Sequence, residues 1–186
     1  LVLAGHCSEN GFVFMSNDSL PEESYTIDVT MRSVKVEASG LRGFNYAIQT
    51  LRQMLPEIPC CHISDAPRFA YRGLHLDEAR HFFGIDEVKK YLDIMAFHKL
   101  NTFHWHLTDD QGWRVEIKKY PGLVQTGSKR EGTCIKRNYR TNDGIPYGEG
   151  MWYSQDQIRE IVEYAAQKGI DVIPEIDLPG HMLAAL

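Results

Sequence analysis

Three short stretches of the 186-residue sequence concentrate groups able to move protons or hold hydroxyls. The first carries Arg72, then Asp77, Glu78, Arg80 and His81. The second runs His104-Trp105-His106-Leu107-Thr108-Asp109-Asp110-Gln111-Gly112-Trp113, and the third runs Glu175-Ile176-Asp177-Leu178-Pro179-Gly180-His181. Carboxylates and imidazoles exchange protons near neutral pH. An Arg or an Asp can make paired hydrogen bonds to vicinal hydroxyls, and a Trp offers a flat apolar platform. That mixture fits a carbohydrate. His104-x-His106 opens a second possibility, because a strand would place both imidazoles on one face, as a zinc ion requires.

Each signal also has a plain structural reading. Arg72 inside an apolar strand is costly unless paired, and Asp77 or Glu175 could be its partner. Asp109 and Asp110 could cap a turn before Gly112. His181 after Pro179-Gly180 could cap a following helix. Lys89, Lys90, Lys118, Lys119, Lys129 and Arg130 read as solvated faces. The convergence of the polar groups on three successive strand ends is what favours an active-site rim.

The positioning elements follow from periodicity. Phe12–Met15 is a short apolar run, and residues 24–31 alternate with Tyr25, Ile27, Val29 and Met31 on one face. Val34, Val36 and Ala38 continue the alternation and suggest an antiparallel hairpin. Residues 44–55 read as a helix with Phe44, Ala47, Ile48, Leu51 and Leu55 on one stripe, ended by Pro56 and Pro59. After Asp65-Ala66-Pro67 the pattern becomes strand 69–77, helix 85–100 and strand 101–108. A polar stretch follows to about residue 150, then a helix from Ser154 with Gln157 completing a capping box, Gly169 at its end and strand 170–176. The β-α-β-α-β order implies parallel strands with right-handed crossovers, in a barrel or an open sheet. Ligands in either bind at the carboxyl ends of the strands.

The bulk numbers narrow the class. Composition is that of an ordinary globular protein, 43% apolar and 24% charged, and the formal charge of −5 argues against nucleic acid or an anionic membrane as partner. No run of about 18 apolar residues exists to span a membrane. Cys7, Cys60, Cys61 and Cys134 lack metal-ligand spacing, and the adjacent pair could not comfortably bond each other. The cysteines therefore leave the compartment open. A start at Leu1, without an initiator Met or signal peptide, reads as a trimmed chain.

The segment Tyr71-Arg72-Gly73-Leu74-His75-Leu76-Asp77-Glu78-Ala79-Arg80-His81-Phe82-Phe83 resembles the first barrel strand of the family 20 glycoside hydrolases, the β-N-acetylhexosaminidases. Phe103 to Arg114 is similar to their second strand, and Pro174 to His181 to their third. Residues 23–55 resemble the small non-catalytic domain that precedes the barrel. The resemblance implies a small α+β domain over 1–64 and, over 65–186, the first three β/α units of a (β/α)8 barrel, truncated. It implies hydrolysis of terminal, non-reducing β-linked N-acetylhexosamine, GlcNAc or GalNAc, from glycans or glycoconjugates. The mechanism would be retaining and substrate-assisted, the sugar's own 2-acetamido oxygen attacking the anomeric carbon. Arg72 would hold sugar hydroxyls, and Asp109 and His181 would form a relay behind the general acid. No metal or organic cofactor is implied, and a periplasmic, secreted or lysosomal setting is.

The family's Asp-Glu pair, in a His-x-Gly-Gly-Asp-Glu motif after the fourth strand, does not occur here. Glu175 and Asp177 belong to the third-strand motif and should not be promoted into that role. The expectation is that the pair lies beyond Leu186 and that the present chain alone is inactive. Two alternatives stand beside this reading. One is a carbohydrate-binding barrel without catalysis. The other is a metal-dependent amidohydrolase using His104 and His106, disfavoured because that pair sits on the second strand and the Pro-Gly-His motif fits the hexosaminidase.

Overall fold

The computed structural model describes residues 11–136 and 138–186, which form two compact units. The first comprises the chain up to Arg72 with Ala96–Leu100; the second comprises Gly73–Met95 with Asn101–Leu186. Cys60, Cys61 and Cys134 are free thiols, and Cys7 lies outside the described residues.

The first unit contains β1 (Gly11–Ser16), β2 (Tyr25–Val29), β3 (Ser33–Ala38), α1 (Leu41–Gln53) and β4 (Cys61–Asp65), in a sheet of order β1-β3-β2-β4. The expected hairpin is β2 antiparallel to β3, while β1 joins β3 in parallel. Strand alternation buries Tyr25, Ile27 and Val29, with Val36 and Ala38 opposite them. β4 escapes periodicity because Cys61-His62-Ile63-Ser64-Asp65 is mostly polar; its pairing with β2, from Tyr25↔Asp65 to Val29↔Cys61, makes it a strand.

α1 buries Gly43, Tyr46, Ala47 and Leu51 on this sheet. The stripe is rotated from the expected one, since the helix starts at Leu41 and stops at Gln53, leaving Leu55 exposed. Gly43 is the point of closest approach: a Cβ there would stand 2.5 Å from the Ser24 carbonyl oxygen and 2.9 Å from the Ala38 Cβ.

The second unit begins with β5 (Gly73–Asp77) and α2 (Ile85–Phe97), whose last two residues count with the first unit. β6 (Thr102–His106), the short pair β7 (Thr108–Asp109) and β8 (Gly112–Trp113), and α3 (Gly122–Gln125) follow. Then come the hairpin β9 (Cys134–Ile135) and β10 (Asn138–Asn142), α4 (Gln155–Gln167), β11 (Asp171–Glu175) and a single 3-10 turn at Leu183–Ala185. β5, β6 and β11 form one parallel sheet of order β11-β6-β5. β5 is shorter than the apolar run suggests, and Phe69 and Tyr71 before it are exposed.

Phe103 and Trp105 on β6 are fully buried, as are Val88, Leu92 and Met95 of α2 and Ile161 and Ala165 of α4. The Ser154–Gln157 capping box is present in both directions, and Gly169 after α4 has φ 73°.

Beneath the strand ends two buried polar groups tie the connections together. Arg114, fully buried, donates to the carbonyls of Glu78, Ala79, Ser128 and Met151. Gly112 leaves it room, since a Cβ at that position would lie 2.4 Å from an Arg114 terminal nitrogen. Glu78, also fully buried, accepts from the Phe83 amide at 2.8 Å and the Tyr153 hydroxyl at 2.8 Å. Burial pushes its carboxyl up to about 7, against the ordinary 4.5, although these hydrogen bonds pull the other way.

Gly43→Ala is expected to destabilise the full-length protein by about 1–3 kcal/mol, because overpacking against backbone outweighs the helix propensity Ala adds. Chemical denaturation checks the sign. For Glu78, the unfolded carboxyl ionises near pH 4.5 while the folded one holds its proton to about 7. Wild-type stability should therefore fall by on the order of 3 kcal/mol as pH rises through that window and level off above it. Denaturation of Glu78→Gln from pH 4 to 8 should lack that fall; an identical pH dependence would show that Glu78 ionises normally.

Candidate active site

Parallel pairing sets Asp77, His106 and Glu175 in one row across the carboxyl ends of β5, β6 and β11, with His75 and His104 paired one layer below. Two-residue periodicity puts both layers on the face opposite Phe103 and Trp105. That face is polar and carries the candidate chemistry.

Asp109 is its centre, with the carboxylate only 2% exposed. Arg80 Nη2 lies 2.5 Å from Asp109 Oδ2, His181 Nδ1 lies 3.3 Å from Oδ1, and His106 Nε2 lies 3.4 Å from Oδ2. The Asp110 amide donates to Oδ1 at 2.6 Å, the local turn bond that the Asp-Asp pair suggests. Asp110 in turn accepts from the Leu183 amide at 3.1 Å. His181 has φ 54°, a left-handed conformation that side chains adopt at a cost, and its ring is 61% exposed.

Arg80 donates from Nη1 to Asp77 at 2.6 Å and from Nε to Gln111 at 2.9 Å. Burial alone would push the Asp77 carboxyl up, but the Arg80 bonds outweigh it and hold it below its ordinary value. With Asp109, three of the five guanidinium N–H groups are engaged, on a side chain 44% exposed. A cleft of about 680 Å3 opens here, lined among others by Arg80, Asp110, Gln111, Arg130, Arg140 and Leu183.

Arg72 does something else, and its expected role in holding sugar hydroxyls has to be corrected. It precedes the first residue of β5, at the amino end of the strand, whereas Asp77 closes the carboxyl end. Nε donates to the Lys99 carbonyl at 2.9 Å, Nη1 to Glu23 at 3.0 Å and the Phe69 carbonyl at 2.6 Å, and Nη2 to Glu23 at 3.2 Å and Tyr46 at 2.8 Å. All five donors are spent inside the first unit, with a partner, Glu23, that neither proposed pairing anticipated. Arg80, named among the strand-end groups but given no role there, is the arginine at the polar face. Its signal was positional: three residues past the strand-ending Asp77, it falls in the connection where ligands bind.

Trp105 and Trp113 offer no exposed face as a sugar platform. Trp105 is fully buried and Trp113 is 5% exposed with Nε1 donating to the Val115 carbonyl at 2.7 Å. Metal-type ligands do gather on the polar face, as His75–His104–Glu175, His106–Glu175–Asp177 and Asp109–Asp177–His181. None of these groups holds both His104 and His106, the pair the amidohydrolase reading needs. His104 is instead 2.5 Å from Glu175. Burial pushes the Glu175 carboxyl up, but the neighbouring His106 and the hydrogen bonds to His104 and Asp177 outweigh it and leave it below its ordinary value.

Comparison with known proteins bears on the whole chain. The description "Glycosyl hydrolase family 20, catalytic domain" matches residues 69–186, and "Glycosyl hydrolase family 20, domain 2" matches residues 5–66. The chain is 44% identical over 180 residues to a β-hexosaminidase of Porphyromonas gingivalis, covering 90% of this chain and 22% of that protein. It is also 44% identical over 181 residues to a β-hexosaminidase of Vibrio furnissii, covering 94% and 29% respectively. The chain thus spans less than a third of the length of either relative. Among solved structures, an exo-β-N-acetylglucosaminidase of Vibrio harveyi in complex with N-acetylglucosamine superposes with a TM-score of 0.84 at 45% identity, over 94% of this chain and 28% of that one. With one family's two adjoining domains matched in order along nearly its full length, this chain belongs to glycosyl hydrolase family 20.

Proposed function

We propose that the protein removes terminal β-linked N-acetylhexosamine from the non-reducing ends of glycans. The three parallel strands are read as the opening β/α units of a (β/α)8 barrel, with the preceding residues as a separate small domain meeting it near residue 65. The observation that carries the reading is the buried Asp109 carboxylate, held by Arg80 at 2.5 Å and facing the exposed His181 at 3.3 Å. A carboxylate that orients an imidazole at a cleft edge is the arrangement that positions and tunes a proton donor.

In this mechanism the 2-acetamido oxygen of the sugar attacks the anomeric carbon, the bond to the leaving oxygen breaks, and a general acid protonates that oxygen. Asp109 and His181 stand behind the acid as a relay. The two N–H groups of Arg80 not spent on Asp77, Asp109 and Gln111 hold vicinal hydroxyls of the terminal sugar, the task a planar fork performs better than an ammonium. The His-x-Gly-Gly-Asp-Glu motif expected to supply the acid and the acetamido-positioning carboxylate is absent from the 186 residues. Activity is therefore to be measured on the full-length protein.

With a chromogenic N-acetylglucosaminide, Arg80→Lys should lower kcat/KM by about 100-fold, as loss of substrate alignment does. Arg72→Lys should lower Tm while leaving kcat/KM close to wild type. Unchanged kcat/KM in Arg80→Lys would remove Arg80 from the substrate. Binding of N-acetylglucosamine without turnover by the wild type would favour the non-catalytic barrel.

A further inference from the structure

His106 is buried, its side chain 6% exposed, yet its ring lacks a bond that a buried imidazole ordinarily makes. Nε2 has no hydrogen-bond partner among the described residues. It stands between two carboxylates instead, 3.4 Å from Asp109 Oδ2 and 3.6 Å from Asp177 Oδ2, while Nδ1 is 3.6 Å from Asp77 Oδ1. These three carboxylates follow or end three different strands, β6, β11 and β5. Ring contacts complete the surroundings, with the His75 centroid 5.6 Å away, and Glu175 faces it as its register partner on β11. A buried ring nitrogen this close to two carboxylates needs a reason, because an orphaned polar atom costs stability that a fold ordinarily avoids.

We propose that His106 is a positioning residue for the catalytic relay: shared among Asp77, Asp109 and Asp177, it fixes the Asp109 carboxylate in the orientation that serves His181. The inference rests on the relay reading of Asp109 and His181 given above. The geometry explains why the shared position is useful. Asp109 already uses Oδ2 for Arg80, so a second neighbour on the same oxygen limits its rotation and keeps Oδ1 turned to His181. Asp177 competes for the same ring nitrogen at 3.6 Å, so the imidazole is not committed to Asp109 alone. A small movement toward either carboxylate would complete a hydrogen bond, so the ring can follow Asp109 as charge develops on His181 during proton transfer.

The test uses the full-length protein, selectively labelled with 15N-histidine, as wild type, His106→Gln and Asp177→Asn. Two N-acetylglucosaminides serve as substrates, one with a good leaving group and one with a poor one that depends on protonation. His106→Gln should lose about tenfold or more in kcat on the poor leaving group, the scale of lost support for a functional group, and much less on the good one. The ring-nitrogen resonance of His181 should shift at fixed pH. Asp177→Asn keeps the imidazole and removes one of its partners, so it should give the same pattern at smaller amplitude and covers the case in which His106→Gln fails to fold. Equal losses on both substrates, or an unmoved His181 resonance in both variants, would overturn the proposal. If the wild type turns over neither substrate, the hexosaminidase reading falls, and the His181 resonance still decides the role of His106.

Discussion

A carboxylate removed from water must be compensated or neutralised, at a cost of several kcal/mol otherwise. Asp109 is such a group, and the arrangement of the second unit follows from what compensates it. Arg80 arrives from the connection after β5, His106 from β6 itself and His181 from the connection after β11. They meet only if the three strands end together, as the row Asp77–His106–Glu175 ensures. Register and electrostatics are thus one constraint. A slip of one residue would turn His106 toward the helices and Trp105 into the cleft, losing a buried aromatic core and the charge compensation together.

Much of this was legible in the sequence where a single periodicity dominated. The β2–β3 hairpin, α4 with its Ser154 cap, and the parallel order of β5, β6 and β11 all read directly, because alternation and capping are local signals. Asp109 and His181 were legible as a pair through the family motifs that carry them. What resisted reading was decided by partners distant in sequence. β4 is a strand because β2 offers it an edge, and its own alternation is too polar to announce it.

The two arginines make the same point at the site. Arg72 and Arg80 lie eight positions apart in one motif and are chemically identical, and the length of β5 separates their fates. A strand drawn from residue 69 makes Arg72 an interior strand residue, close enough to the polar groups that follow to be read with them. The strand that exists starts at Gly73, so Arg72 falls before it and turns to Glu23, a residue 49 positions away. Strand starts are set by where pairing partners end, here at Thr102, and no pattern within residues 69–77 encodes that.

The Arg114 clamp has an evolutionary reading. Its acceptors are main-chain carbonyls, those of Glu78, Ala79, Ser128 and Met151. A carbonyl is offered by every residue type, so the clamp constrains the path of the chain at 128 and 151 without using the side chains there. Between those two anchors runs the exposed β9–β10 hairpin, which carries Arg140 along the edge of the cleft. None of the four Arg114 bonds goes to this hairpin. The fold therefore separates the groups packed around Asp109 from a neighbouring rim that could vary in length and side chains without touching the clamp, the kind of exposed loop on which new specificities arise.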